Sequence, residues 1–150
     1  MGTFEKILNA PDRTSLMAVL RESDYSPHLE SMLKTAVVLD GYNTHQRVNA
    51  VIALSNAYEG HSPDELLNWF GQRLLLEPEP LMQRALMCSL LFSALLDANE
   101  SAIAVLATFA MQTIENAEVF MKSLALAMRL IDNPLPPTFN PLSSDLSQRL

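Results

Sequence analysis

The chain has 150 residues, 49% hydrophobic and 18% charged, which excludes a disordered polymer and lets a single domain bury a core without disulfide or metal staples. Its net charge is −7, and its 10 Lys and Arg residues are scattered without forming a run. Phosphate backbones and anionic bilayers both select for clustered cations, so neither nucleic acid nor a membrane surface is an expected partner.

Leu, Ala and Met carry the apolar content, with 8 Met against only 7% aromatics. These residues favour helix, and the β-branched runs that strands need are nearly absent. The chain therefore reads as all-α.

Two short helices are expected first, Phe4–Leu8 and Asp12–Glu22. Pro27, Pro63 and Pro80 then follow candidate caps Ser26, Ser62 and Glu79. Proline suits a first helical position because its missing N–H would be unpaired there anyway. Ser62-Pro63-Asp64-Glu65 also has the spacing of a capping box, and Gly41 and Gly60 suit C-terminal caps. The signals predict helices over Pro27–Asp40, Thr44–Tyr58, Pro63–Leu76, Pro80–Ala98, Glu100–Glu115 and Ala117–Asp132.

Apolar spacing assigns their faces. Leu29, Met32, Leu33 and Ala36 form one stripe, and Leu66, Leu67, Phe70 and Leu74 another. In the last helix Glu115, Glu118, Lys122 and Arg129 share a narrow polar strip. Leu81–Leu96 and Ala102–Ile114 are apolar nearly all round. A helix of that kind needs cover on most sides, so these two are expected at the centre. The uncharged stretches Ala85–Leu96 and Ser101–Ile114 are shorter than the roughly 18–20 residues a membrane span requires.

The six later helices pair into three hairpins, roughly 26–60, 61–99 and 100–133. Ser26-Pro27 and Ser62-Pro63 open the first two, and Gln46-Arg47 and Gln83-Arg84 open their second helices. Such self-similarity marks helical arrays, although a Leu/Ala-rich antiparallel bundle also produces it. Gln46-Arg47-Val48-Asn49-Ala50-Val51-Ile52-Ala53-Leu54 is similar to the inner helix of HEAT-type repeats, which often carry Val-Arg followed by alanines and a Leu. Here Arg47 precedes Val48, a departure from that order. The fold expected is thus antiparallel helical hairpins, three stacked pairs in a HEAT-like solenoid or a compact bundle. One domain spans residues 1–133, followed by a Pro-rich tail, 134–150.

Candidate chemistry is sparse. His28, His45 and His61 each stand at or just before a helix start, at opposite ends of alternating helices, so no metal site is expected. Cys88 lies in an apolar run with no histidine near it in sequence, which suits a buried core residue rather than a nucleophile. Asp64–Glu65 and Glu77/Glu79 read as acids complementing helix starts. Ser89 and Ser93 share a face of the most apolar helix and are read as bonding back to carbonyls or allowing close packing. The four glycines are isolated, so no phosphate loop and no cofactor are expected.

Tyr58 and Trp69 sit on the flanks of their helices, either as core edge or as contact residues for a partner. The tail carries Leu135, Phe139, Leu142 and Leu146 among prolines. These side chains either strap the last hairpin or act as a detachable docking peptide, Phe139 and Leu142 foremost. A lone cysteine and an N-terminus without an apolar signal core suit a cytoplasmic location. The function expected is a non-enzymatic, protein-binding helical module, an adaptor or small acidic chaperone. The alternatives are a homo-oligomeric structural subunit and a small-ligand regulator or enzyme, since pockets between helices leave no sequence signature.

Overall fold

The computed structural model describes residues 2–58, 61–97 and 99–132, with side chains through residue 125. Within them lie eight helices and no strand: α1 Thr3–Asn9, α2 Arg13–Glu22, α3 Pro27–Val38, α4 Thr44–Asn56, α5 Asp64–Leu76, α6 Pro80–Asp97, α7 Glu100–Ala110 and α8 Ile114–Asp132. The fold is all-α. The tail residues Leu135, Phe139, Leu142 and Leu146 fall outside the described residues.

Consecutive helices pack as hairpins: α3 on α4, α5 on α6, α7 on α8. The second helices also meet in order, α4 with α6 and α6 with α8, while α5 touches α7 and α1 lies across α4. The apolar stripes of α3 and α5 face inward as their spacing predicts, with Leu29, Leu33, Ala36, Leu66, Leu67, Phe70 and Leu74 buried and Met32 of the α3 stripe only partly so.

The centre differs from expectation. α6 is central, packed by α4, α5, α7 and α8. α7 is not: of its side chains only Ala102, Leu106 and Phe109 are buried. The second central helix is α4, in which every residue from Asn49 to Ser55 is buried. Its polar first turn hides this in the sequence. The small side chains Ala50 and Ala53 let neighbours approach, and Asn49 meets its hydrogen-bonding needs internally.

The caps also differ in part. Asp12 accepts from the Ser15 amide, and Ser26 from the Leu29 amide. The expected Ser62 cap does not form. α5 starts without a side-chain cap, and the Ser62 hydroxyl is buried without a hydrogen-bond partner. A capping box forms instead at α4, between Asn43 and Gln46. The last boundary moves as well. α7 ends at Ala110 rather than Glu115, because the Thr113 hydroxyl accepts from the Asn116 amide and starts α8 three residues earlier than expected.

Candidate functional site

Ser101 to Ile114 contains no charged residue. In α7 this stretch divides into two faces. Ala102, Leu106 and Phe109 point into the core, and Val105 packs beside them. On the other side Ile103, Ala104, Ala107 and Met111 are exposed; Ile103, Ala107 and Met111 recur every fourth residue and so form one line. Across the turn, Ile114 continues that apolar surface, with Met111 85% and Ile114 77% exposed.

The turn that presents them is tied at both ends. The Gln112 amide and the Asn116 side-chain amide both donate to the Phe109 carbonyl, at 3.2 and 3.0 Å. Acids border the surface: Glu100, Glu115 and Glu118 are exposed, and no Lys or Arg occurs between Arg84 and Lys122. The result is a fixed apolar ridge with a negative rim.

α7 gains its close seat from Gly71 on α5. A Cβ there would stand 2.8 Å from a methyl carbon of Val105. The absence of a side chain at Gly71 therefore sets the α5–α7 distance.

Tyr58 and Trp69 are both half-buried and pack against the core. Each meets a side chain of α3. Tyr58 donates to Glu30 at 3.0 Å and stacks edge-on against Tyr25, whose own hydroxyl donates to the same carboxylate oxygen at 2.8 Å. Burial, reinforced by the bonds to Glu30, pushes both phenols above their ordinary range. Lys34, one turn beyond Glu30, holds its ammonium 5.7 Å from the Trp69 ring centre. Tyr58 thus ties the end of α4 to α3 within the first hairpin, Trp69 joins the second hairpin to α3, and neither lies on the α7 ridge.

The histidines stand apart. His45 contacts the Ala10 carbonyl at 2.7 Å, His61 the Asp97 carboxylate at 2.7 Å, and His28 is exposed. Among the described residues no group of three or more His, Cys, Asp or Glu could hold a metal ion. Cys88 is buried, and its thiol is pushed up to about 11 by that burial, with a bond to Ser123 pulling the other way. Ser89 donates back to the Ala85 carbonyl at 2.9 Å, and Ser93 is buried beside it in the same helix. Among the described residues no helix is long and apolar enough to cross a membrane.

Glu77 requires a correction. The sequence places it at a helix start, but it is the C-terminal cap residue of α5, and its side chain is only 1% exposed. It pairs with Arg47 of α4, lies 3.6 Å from Arg73, and accepts from the Glu79 amide. Arg47 also donates to the Val37 carbonyl, and Gln83 of α6 donates to the Glu77 carbonyl. One buried carboxylate therefore joins the first hairpin to the second. An acid three residues before Pro80 resembles a helix-start acid in sequence, and only the distant partner Arg47 distinguishes the two cases.

No protein family, curated protein or solved structure matches the chain.

Proposed function

We propose that this chain is a non-catalytic, protein-binding helical module whose contact surface is the outward ridge of α7 and the α7–α8 turn. The observation that carries the reading is the exposure of Ile103 on α7, Met111 at its cap and Ile114 at the start of α8, within a stretch from Ser101 to Ile114 that has no charged residue. Contiguous exposed apolar surface rimmed by polar residues marks an interaction site. Met contributes a side chain that adapts to a partner's shape. The order of helix contacts supports an array in which, among the described residues, α7–α8 is the outermost hairpin.

The partner that fits is an apolar helical segment bordered by Lys or Arg. The rim of Glu100, Glu115 and Glu118 attracts such a segment. It repels a second copy of this chain, whose net charge is −7. A homo-oligomeric subunit is the competing outcome.

A model peptide of alternating Leu and Lys faces, titrated into the full chain and followed by amide NMR, tests the reading. The expected result is saturable shifts centred on residues 100–121, with binding weakened at least about tenfold by Met111→Glu. That substitution adds negative charge, so a purely electrostatic attraction would strengthen. Unchanged or tighter binding to the variant overturns the proposal. So does a stable dimer in light scattering that Met111→Glu dissociates.

A further inference from the structure

Two apolar features lie outside the α7 ridge. One is a cavity of about 440 Å³ between α1, α2, α3 and α4, whose hydroxyls, Ser23 and Tyr25, both donate within the protein. The other is the row of turns inside the three hairpins. Leu39 caps the end of α3, Leu76 ends α5 and Leu81 stands in the first turn of α6; they are 48%, 71% and 52% exposed. A single exposed Leu is ordinary, but several on adjoining turns mark a contact surface.

Specific contacts bring these turns to one edge of the array. Arg47, at the start of α4, donates to the Val37 carbonyl near the end of α3 and pairs with Glu77, the residue after Leu76. One guanidinium thus holds the first turn beside the second. α5 and α7 lie parallel and in register: Asn99, the cap of α7, donates to Asp64 at the start of α5, and a Cβ on Gly71 would touch Val105 midway. Leu76 and Met111 each stand about one and a half turns beyond that contact, which sets the second turn beside the third. The exposed side chains of Leu39, Leu76, Met111 and Ile114 therefore follow one another across the edge. Charge is not uniform along it. Around the first two turns Lys34, Arg47 and Arg73 offset Asp40, Glu77 and Glu79. At the third, Glu115 and Glu118 outnumber Lys122, which lies one turn farther along α8.

We infer that the occupant of this edge is an apolar helical segment of a partner protein that crosses all three turns, with its Lys or Arg residues confined to the end seated beside Glu115 and Glu118. Its uncharged end meets Leu76 and Leu39, where positive and negative groups balance. The inference rests on α7 as a contact surface and adds the partner's direction and length, across the hairpins rather than along α7. Packed helices stand about 8–10 Å apart, so three turns span on the order of 20 Å, about four turns of a docked helix. A second copy of this chain, with its net charge of −7, is a poor occupant for the negative end.

The probe is an amphipathic peptide of about sixteen residues, with a Leu face and lysines only in its first turn, titrated into the full chain and followed by amide NMR. The expected result is saturable shifts at residues 38–41, 75–81 and 110–118. A nitroxide on the lysine end should broaden residues 112–119, and one on the other end residues 38–41. Leu76→Glu should weaken binding at least about tenfold although it adds negative charge, and Leu81→Gln, which adds none, at least about threefold. Both side chains are largely in water, so neither change removes core packing. Shifts confined to residues 100–121, with Leu76→Glu binding as before, overturn this inference and leave the α7 reading standing. Absent shifts at all three turns overturn both. A reversed nitroxide pattern, or a stable dimer that Leu76→Glu dissociates, overturns this inference as well.

Discussion

Between α1 and α4 the helices are joined by side chains that reach distant backbone. Asn49 places its Nδ2 within 3.0 Å of the Ile7 carbonyl and 3.3 Å of the Leu8 and Ala10 carbonyls. It thereby adds a side-chain donor at the carbonyl end of α1. His45 reaches Ala10 from the same helix. Between α6 and α7 the contact is instead mainly apolar, through Ala102, Leu106 and Phe109, and polar ties gather at the ends of α7, as in the 2.8 Å bond from Asn99 to Asp64. The first arrangement fixes position through directional bonds that are costly to leave unmade. The second fixes depth but leaves an outer face uncovered among the described residues. A cavity and an exposed apolar ridge thus lie at opposite ends of one small fold.

The largest expected effect tests the joint between these regions. Glu77→Ala leaves Arg47 and Arg73 without their shared carboxylate and should cost about 3 kcal/mol in a urea titration, the scale of a broken buried pair. A loss below about 1 kcal/mol would mean that packing alone joins the hairpins.

Asn49→Leu should cost about 2 kcal/mol, since the carbonyl end of α1 loses its side-chain donor inside the protein. Amide exchange should accelerate first in α1. Uniform acceleration would show that Asn49 does not hold α1 in particular.

Gly71→Ala should cost about 1 kcal/mol net, a steric penalty at Val105 partly offset by better helix propensity. Adding Val105→Ala should recover part of the loss, and two additive losses would show that the two positions do not interact.

Alkali offers a smaller, graded test. Burial raises the Cys88 thiol from 9.0 to about 11 in the folded chain. The unfolded chain releases that proton first, so stability is full below pH 9 and falls as pH rises toward 11. Tyr25 and Tyr58, both raised above 10.0, act in the same direction at higher pH. Cys88→Ala should flatten the part of the decline nearest pH 9, and an unchanged slope there would contradict the assignment. The smallest effect belongs to the ridge itself: Ile114→Ser should shift stability by no more than about 0.5 kcal/mol, since its side chain is already in water.

Much of the architecture was readable from punctuation and period. Pro27 and Pro80 open their helices, and Leu29, Leu33 and Ala36 face the core as their spacing implies. A local signal misled where a distant residue decided the outcome, as Arg47 does for Glu77, and the cap signals held only in part. Ser62 has the spacing of a capping box and does not form one, while Asn43 and Gln46 do. α7 looked central because apolar surface is normally covered, and its exposed side is the property that makes it a candidate contact surface. The cavity could not have been found in sequence at all. It is bounded by residues from Ile7 to Ala57, and Asn56 stands out only because its oxygen lacks a partner in three dimensions.

The position of α6 has a kinetic consequence. It supplies a wall to both neighbouring hairpins, with Met82, Leu86, Met87 and Leu90 fully enclosed. Its amides cannot meet solvent through the fraying of a single hairpin, because helices on the other side still cover it. Native-state hydrogen exchange in α6 should therefore report the global unfolding free energy, while α1 and α7 exchange through smaller openings. The protein then behaves as a cooperative unit about a middle helix, with openings graded toward both ends, so the cavity and the ridge can breathe independently while the fold between them stays closed.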